Sequence, residues 1–505
     1  MVRKGRLEEK PKQFPGTVFC MTVSGTQQTD KLILALDVGT LSVRASAYDF
    51  AGNALVFADE PIALNQLSSS KIEQDPLEIK TAVHQVMQQV LADPIVQQRG
   101  IACAGLASQR SSIVAWNRTT GEPLTPVFSW QDRRAAEYLE PLASKGVAIK
   151  KKSGLFLSPH YGASKLRWML DKCPELERPL QNKQLIFGPL AAYVIAHLVE
   201  GQPSIVDHVN ASRTQLMDLQ KHQWSPELLQ EFGIARELLP DCQPTQSYFG
   251  NIRGTEIPLT AVNGDQNAAI HGPGKLDDGT LIVNVGTGAF VLLSTGVQLM
   301  YHPSLLASIA NSSDAHVTYL LEGTVNGAGA AIKWAADQWG GPDLSANLEQ
   351  WLNEVETPPV FINTIGGLGS PFWRSEQNPY FLGNGSGDTS LQEKAVAIVE
   401  SILFLIAINL EAMSNTGQSV TRIRITGGLS ALDGLCQRLA NLTQRVVLRP
   451  EVKQATSQGI AWLAANLTQG WNDLREGTHV DYFLPKDGRS LKARYRQFCA
   501  ELGWR

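Results

Sequence analysis

Two distant stretches of the chain repeat one pattern, and this repeat constrains the fold more than any other feature. "LALDVGT" at 34–40 and "IVNVGTG" at 282–288 are each an apolar run that ends in a turn containing Gly-Thr. A second apolar run follows each turn, so both stretches predict a strand, a glycine turn and another strand. Self-similarity of this kind indicates an internal duplication. Because 505 residues are also too many for one hydrophobic core, we expect two domains of similar architecture.

The alternation of strand and helix patterns along the chain is typical of the α/β class. The segment "GPGKLDDG" at 272–279 separates the two halves, so we place the domains at 31–274 and 275–505. Residues 1–30 are polar and irregular. We expect a disordered extension there, with Met21 as an alternative start of the natural chain, and no signal peptide, because no apolar stretch follows the charged start.

Charge and composition exclude several classes of protein. The net charge of −4 gives no basic footprint for nucleic acid. None of the six cysteines forms a CxxC pair, and scattered thiols fit a reducing cytoplasm. The longest apolar run, at 395–410, contains Glu400 and Asn409. We therefore predict a buried helix rather than a membrane span.

Three glycine turns follow apolar strands, at Gly39-Thr40, at Gly286-Thr287-Gly288 and at Gly427-Gly428. Successive backbone N–H groups in such turns can bind an anion, and the hydroxyls of Thr40, Ser42 and Thr287 add donors. One such turn is explained by chain reversal alone. Three of them, two alike, favour a clamp for the phosphates of a nucleotide, although no P-loop or Rossmann fingerprint is present.

Two acids follow predicted strands. Asp37 lies within the first glycine turn, where it could bind Mg²⁺ beside a triphosphate or simply cap its own turn. Asp265, in "AVNGDQNAA", precedes a run of small residues that would let a substrate approach. A carboxylate there could accept a hydroxyl proton during phosphoryl transfer, while an Asn-Gly-Asp turn is the alternative explanation.

Polar and aromatic side chains in "ASQRSS" and "SWQDRR" suggest an alcohol-binding pocket. Arg110 can hydrogen-bond vicinal hydroxyls, and Trp130 can cover a carbon skeleton. A surface arginine and a core tryptophan explain either residue taken alone equally well.

In this order, the motifs resemble those of the FGGY carbohydrate kinases, most closely the glycerol kinases among them, from about Lys31 onward. The matching stretches include "ALDVGTLSVRA", "SQRSSIVAWNRTTGEPL", "WQDRR", "SPHYGASKLRWML", "VNASRTQLMDL", "NGDQNAA", "NVGTGAF", "LEGTVNGAGAAIKW" and "GGLGSPFW". The resemblance implies a duplicated actin-like, RNase H-type fold whose two domains enclose a central cleft. It also implies ATP and Mg²⁺, with ATP mainly on the second domain and a polyol or sugar on the first.

The resemblance also implies roles for individual residues. Asp265 matches the catalytic base, and Asp37 together with Asp265 matches the acids near Mg²⁺. The ATP-binding positions are Thr40, Ser42, Arg44, Gly286, Thr287, Gly288, Gly329 and Gly428. The alcohol-binding positions are Arg110, Ser111, Trp130, His160, Gln266 and Phe290.

At two of the alcohol-binding positions the chain departs from the family pattern. Ser111 stands where glycerol kinases carry glutamate, and His160 stands where they carry tyrosine. Glycerol is the leading acceptor on this resemblance, with a ketopentose or another short polyol as the alternative. A catalytically weak regulator that binds sugar or nucleotide is a further hypothesis, and so is an actin- or Hsp70-type ATPase, which would leave the alcohol motifs unexplained. Whether the chain forms a homo-oligomer is left open.

Overall fold

The computed structural model describes residues 30–276, 279–340, 343–374, 378–383, 389–451, 454–467 and 479–504. The predicted N-terminal extension therefore lies, apart from Asp30, outside the described residues. So do residues 277 and 278, beside the predicted domain boundary. The boundaries of the two domains stay a prediction.

The first half of the chain builds a six-stranded sheet in the order β14-β15-β6-β1-β2-β3. A five-stranded sheet in the order β4-β5-β8-β7-β9 and two strand pairs, β10-β13 and β11-β12, complete this half. The strands are β1 Leu32–Val38, β2 Ser42–Tyr48, β3 Ala54–Pro61, β4 Asn65–Gln66, β5 Ile72–Gln74, β6 Ile101–Ser108, β7 Ile113–Asn117, β8 Val127–Phe128, β9 Leu185–Pro189, β10 Ile205–Asp207, β11 Met217–Asp218, β12 Gln223–Trp224, β13 Asp241–Gln243, β14 Gln246–Asn251 and β15 Pro258–Gly264.

The second half builds a seven-stranded sheet in the order β18-β19-β17-β16-β22-β23-β24, and β20 pairs with β21. The strands are β16 Thr280–Val285, β17 Ala289–Gly296, β18 Leu306–Ser312, β19 Val317–Val325, β20 Phe361–Ile362, β21 Tyr380–Phe381, β22 Arg422–Thr426, β23 Val446–Pro450 and β24 Val480–Phe483.

The two large sheets share one topology. In the first, β1 is antiparallel to β2 and parallel to β6, and β6 is parallel to β15. In the second, β16 is antiparallel to β17 and parallel to β22, and β22 is parallel to β23. The repeated glycine turns thus connect equivalent strands, β1 to β2 and β16 to β17. This confirms the duplicated α/β fold of actin type.

Helices cover the sheets and connect their parallel strands. They are α1 Pro76–Leu91, α2 Pro94–Arg99, α3 Gly146–Ser153, α4 Gly162–Lys172, α5 Glu177–Gln181, α6 Leu190–Leu198, α7 His208–Ser212, α8 Pro226–Phe232, α9 Asp265–Ala269, α10 Gly329–Trp339, α11 Asp343–Glu354, α12 Leu391–Ser414, α13 Asp433–Thr443, α14 Ala455–Ala464 and α15 Arg489–Leu502. Four 3-10 segments lie at Ala136–Lys145, Pro174–Leu176, Arg236–Leu238 and Gly428–Ala431.

Helix α12 forms the centre of the second hydrophobic core. It begins with a capping box between Ser390 and Glu393, which satisfies free N–H groups of the first turn. In the described part of the chain it is the one helix long and apolar enough to cross a membrane. Of its most apolar stretch of 18 residues, 94% is buried inside the fold. Its Glu400 is paired with Arg438 and Arg494. This confirms the sequence-based prediction of a buried core helix.

Helix α14 comes late in the chain but packs against the first sheet, where Ile460 and Ala461 share an apolar cluster with Ile33 and Ala35. It also crosses α9 without intervening side chains. A methyl group on Gly459 would lie only 1.8 Å from the Ala268 carbonyl oxygen. This close crossing fixes α9, which begins with Asp265, against the sheet.

Candidate active site

The two predicted acids lie at the carboxyl ends of neighbouring parallel strands. Strands β1 and β15 flank β6, and Val38 and Gly264 both pair with Ser108 at the end of β6. Val38 and Gly264 therefore lie at the same level of the sheet. Asp37 is the residue before Val38, and Asp265 is the residue after Gly264. This edge is where ligands bind in open α/β sheets, and the sheet register brings the two carboxylates together.

Asp37 is buried, and the side chain of Asp265 is 27% exposed. Burial, reinforced by the negative charge of Asp265 and opposed by Arg44, raises the pKa of Asp37 to about 7. Burial also raises the pKa of Asp265, while Arg110 opposes the rise. Two nearby carboxylates with raised pKa values are typical of a functional site rather than of a structural turn.

Arg110 follows β6 and is held by the residues that follow Asp265. Its Nη1 donates to Asn267 Oδ1 at 2.8 Å, and its Nη2 donates to Gln266 Oε1. Its Nε lies 3.9 Å from Asp265 Oδ1. A methyl group on Gly264 would lie 2.6 Å from the Arg110 side chain. Glycine at 264 therefore gives the arginine its place beside the acid.

Sequence reasoning missed two buried charges behind Arg110. Glu322, on β19 of the second sheet, lies 3.7 Å from Arg110 Nη1 and forms an ion pair with Arg213. The Tyr161 hydroxyl hydrogen-bonds to Arg213. The motif "VNASRTQ" contained Arg213 and "LEGT" contained Glu322, but neither pattern indicates that the two side chains meet.

Three loops with predicted alcohol-binding residues are joined by one buried amino group. Lys165 Nζ donates to the carbonyl oxygens of Ser111 at 3.3 Å, Ser129 at 2.7 Å and His160 at 3.1 Å. The side chain is inaccessible to water, and burial, with the charge of Arg133, lowers the pKa of Lys165 well below its usual value. Lys165, which sequence reasoning did not select, thereby assembles this wall of the site.

The wall includes Ser111 and His160, the two predicted alcohol-binding residues at which the chain departs from the family pattern. Ser111 is buried in a left-handed conformation with φ 64°, and its hydroxyl has no hydrogen-bond partner among the residues that the structure describes. The His160 ring contacts Trp130 edge-on, with ring centroids 5.7 Å apart. Burial, and then the charges of Lys165 and nearby arginines, lowers the pKa of His160 well below its usual value, so the ring is neutral at pH 7.

The first glycine turn, at Gly39-Thr40, is hydrogen-bonded to the same wall. Thr40 Oγ1 accepts a hydrogen bond from Trp130 Nε1 at 3.0 Å. Gln109 Nε2 donates to the Gly39 carbonyl at 3.1 Å. Ser42 begins β2, and the exposed Arg44 reaches Asp37 at 3.8 Å. These predicted ATP-binding residues therefore lie beside the acids of the first sheet.

The second glycine turn lines a separate cleft of about 470 Å³ at the end of the second sheet. The cleft brings together four of the predicted ATP-binding residues, Gly286, Thr287, Gly329 and Gly428. Gly329 N donates to the Gly286 carbonyl at 2.9 Å, so the second turn and the start of α10 are in direct contact. Sequence reasoning missed the α10 side chains that also line this cleft, Lys333, Trp334 and Asp337.

Two predicted residues remain apart from these groups. Gly288 accepts from Gly286 N within the turn but is not part of the cleft lining. Phe290, expected to cover the alcohol, is half-buried on β17, opposite Asn284 and Thr324. The same strand pairing places Leu292, two residues further along β17, opposite Glu322, and the role of Phe290 stays a prediction.

The fold and the site together define a two-domain, nucleotide-dependent phosphotransferase. The chain belongs to the FGGY family of carbohydrate kinases, because the model of the family's N-terminal domain matches residues 32–272 and that of the C-terminal domain matches residues 281–467. It is therefore an enzyme that transfers a phosphoryl group from ATP to a hydroxyl group of a polyol or sugar.

Individual relatives cover nearly the whole chain. It is 32% identical to the glycerol kinase of Shewanella oneidensis over 92% of this chain and 96% of that protein. It is 34% identical to the glycerol kinase of Acinetobacter baylyi, over 86% and 89%. The solved structure of Plasmodium falciparum glycerol kinase with ADP superposes with a TM-score of 0.85 at 25% identity, over 94% of this chain and 98% of that one.

Proposed function

We propose that Asp265 is the general base of the reaction and that the acceptor binds between Asp265 and the wall that Lys165 holds together. The observation that carries this proposal is the shared register of Asp37 and Asp265 with the end of β6. The side chain of Asp265 is also 27% exposed, so an acceptor can reach its carboxylate.

In the proposed reaction, a carboxylate oxygen of Asp265 accepts the proton of the acceptor hydroxyl. The hydroxyl oxygen forms a bond to the γ-phosphorus of ATP, and the bond from that phosphorus to the bridging oxygen breaks as ADP leaves. Positioning and charge stabilisation contribute most of the catalysis in such transfers. Arg110 orients the acceptor, and the backbone N–H groups of the glycine turns stabilise phosphate charge.

The residues fit a magnesium ion. Two carboxylates, with the phosphates and water, are the oxygen ligands that Mg²⁺ usually has beside a nucleotide. Asp37 and Asp265 are the proposed protein ligands. Among the described residues, no third acidic, histidine or cysteine side chain joins them to form a metal-binding group. When bound, the ion would neutralise the phosphate charge that develops during transfer.

We propose a short polyol as the acceptor. The relatives from Shewanella oneidensis and Acinetobacter baylyi are glycerol kinases, which supports glycerol. The small, neutral Ser111 supports an acceptor larger than glycerol, such as a longer polyol or a ketopentose, because it leaves more room and less negative charge beside Arg110.

A coupled assay of ADP release over glycerol, tetritols, pentitols and ketopentoses tests the proposal. We expect at least one of these alcohols to accelerate ADP release. Without an acceptor, ADP release should stay at a slow background rate. Release that no alcohol accelerates would contradict the proposed function.

A further inference from the structure

Glu322 is a buried carboxylate of the second sheet that contacts two arginines of the acceptor side, Arg213 and Arg110. Its side chain is 3% exposed and pairs with Arg213, which is 4% exposed. Ser308 Oγ also donates to it. Burial alone would raise its pKa, but Arg213 and Arg110 hold the pKa of Glu322 at about 2. Glu322 is therefore ionised throughout the range in which the enzyme can work.

Arg110 lies between two carboxylates. Its Nη1 is 3.7 Å from Glu322, and its Nε is 3.9 Å from Asp265. Both are long ion pairs without a direct hydrogen bond, whereas the amide oxygens of Gln266 and Asn267 accept direct hydrogen bonds from the same guanidinium. If the charge of Glu322 were lost, Asp265 would be the remaining carboxylate beside Arg110, and the guanidinium would be drawn toward it.

The strand that contains Glu322 also leads to the nucleotide cleft. Strand β19 ends at Val325, and Gly329, four residues later, binds the Gly286 carbonyl. Strand β18, which pairs with β19, also contacts the segment that follows Asp265. There, Asn267 Nδ2 donates to the Ile309 carbonyl at 2.7 Å. The Glu322–Arg110 contact therefore connects the strand leading to the nucleotide turn with the arginine that faces the acceptor.

We infer that Glu322 is a positioning residue that sets the place of Arg110 relative to Asp265 and to the nucleotide turn. Its own side chain is too deeply buried to touch the acceptor, so it acts through Arg110. This inference rests on the proposed function, in which Arg110 orients the acceptor and Asp265 accepts its proton.

The variant Glu322→Gln keeps the shape of the side chain and removes its charge. We expect kcat/KM for the acceptor to fall about 100-fold, since small displacements of orienting groups have effects of that order. The KM for ATP should change less than about twofold, because the cleft residues do not contact Glu322. A double-mutant cycle with Arg110→Lys should be strongly non-additive, the double variant being little worse than Arg110→Lys alone.

Glu400→Gln is a matched control for stability. Glu400 is also buried and paired with two arginines, but it lies in the core of the second half away from the site. Glu322→Gln and Glu400→Gln should lower the melting temperature alike, and only the former should alter acceptor kinetics. If Glu322→Gln does not fold, Ser308→Ala should show a smaller acceptor-specific loss, because it removes one hydrogen bond to Glu322.

The inference is overturned if neither Glu322→Gln nor Ser308→Ala changes acceptor kinetics beyond the Glu400→Gln control. Additive losses in the cycle with Arg110→Lys would also overturn it. A native enzyme that releases no ADP with any alcohol would instead refute the proposed function, which keeps the two failures distinct.

Discussion

The Arg110 guanidinium forms a long ion pair with the Asp265 carboxylate, at an N–O separation of 3.9 Å, that is not closed by a direct hydrogen bond. Its hydrogen bonds go instead to the amides of Gln266 and Asn267. The arginine thus braces the start of α9 and leaves the carboxylate basic. A closed pair would stabilise the ionised form of Asp265 and weaken it as a proton acceptor.

Ser111→Glu should shift the preference of the enzyme toward glycerol. A glutamate at this position can accept charge-assisted hydrogen bonds from two adjacent hydroxyls, worth about 1.5–3 kcal/mol for a bond to a charged group. We expect kcat/KM for glycerol to rise and that for a larger acceptor to fall. Ser111→Ala is the control and should change neither stability nor preference, because the native hydroxyl has no partner. An unchanged ratio in Ser111→Glu would show that position 111 does not select the acceptor.

Lys165→Met should weaken both the fold and acceptor binding. The substitution removes the donor to the Ser111 and His160 carbonyls, and each buried polar group left unsatisfied costs about 1–3 kcal/mol. The Ser129 carbonyl loses one donor but keeps the Asp132 N–H. Urea unfolding measures the loss of stability. In the folded fraction, the KM for the acceptor should rise more than the KM for ATP. Equal increases in both would show that Lys165 does not act on the acceptor wall in particular.

Gly459→Ala should disturb catalysis from a distance. The added methyl group would lie 1.8 Å from the Ala268 carbonyl oxygen, so α9 or α14 must move. Overpacking of this kind typically costs about 1–3 kcal/mol, and a displaced α9 moves Asp265, so kcat should fall. Gly146→Ala is the control, because nothing lies within 4 Å of the methyl group it would add. A fully active Gly459→Ala enzyme would contradict a rigid α9–α14 crossing.

The sequence predicted the features that are encoded locally. The repeated strand-turn-strand pattern predicted the duplication. Polar residues after apolar runs placed Asp37 and Asp265 at strand ends, because the end of a strand can be identified from a few consecutive residues. The glycine turns predicted four of the residues that line the cleft, because glycine marks close backbone approach wherever it is needed.

The remaining features depend on contacts between distant segments. Arg213 and Glu322 are 109 residues apart, and no periodicity indicates that two such charges are buried as a pair. Nor does the amphipathic pattern of α14 specify that it docks on the first sheet. Phe290 was selected by resemblance alone, and its half-buried place on β17 is fixed by sheet pairing that one motif does not reveal.

His271→Phe should remove part of the acid sensitivity of the fold. His271 is 2% exposed and stacks on Trp462, and burial, with Arg424, lowers its pKa to about 3. The unfolded chain binds a proton near pH 6.5 and the folded chain does not, so native stability falls as pH drops from about 6.5 toward 3. At pH 5 the loss is about 2 kcal/mol. Urea unfolding measures the free energy of unfolding at pH 5 and pH 7, and the difference between the two values should be smaller in the variant. An identical difference would show that His271 does not contribute to the acid sensitivity.

The central claim is that Asp265 accepts the proton of the attacking hydroxyl. Asp265→Asn keeps the shape of the side chain and removes the proton acceptor. The most direct test is the single-turnover rate of phosphoryl transfer to the best acceptor, measured alongside the affinity for ATP. We predict a fall in rate of about 10²–10⁴-fold, the range for loss of a general base, with the affinity for metal-free ATP and the melting temperature close to native. A rate near the native value in a folded Asp265→Asn enzyme would contradict the assignment.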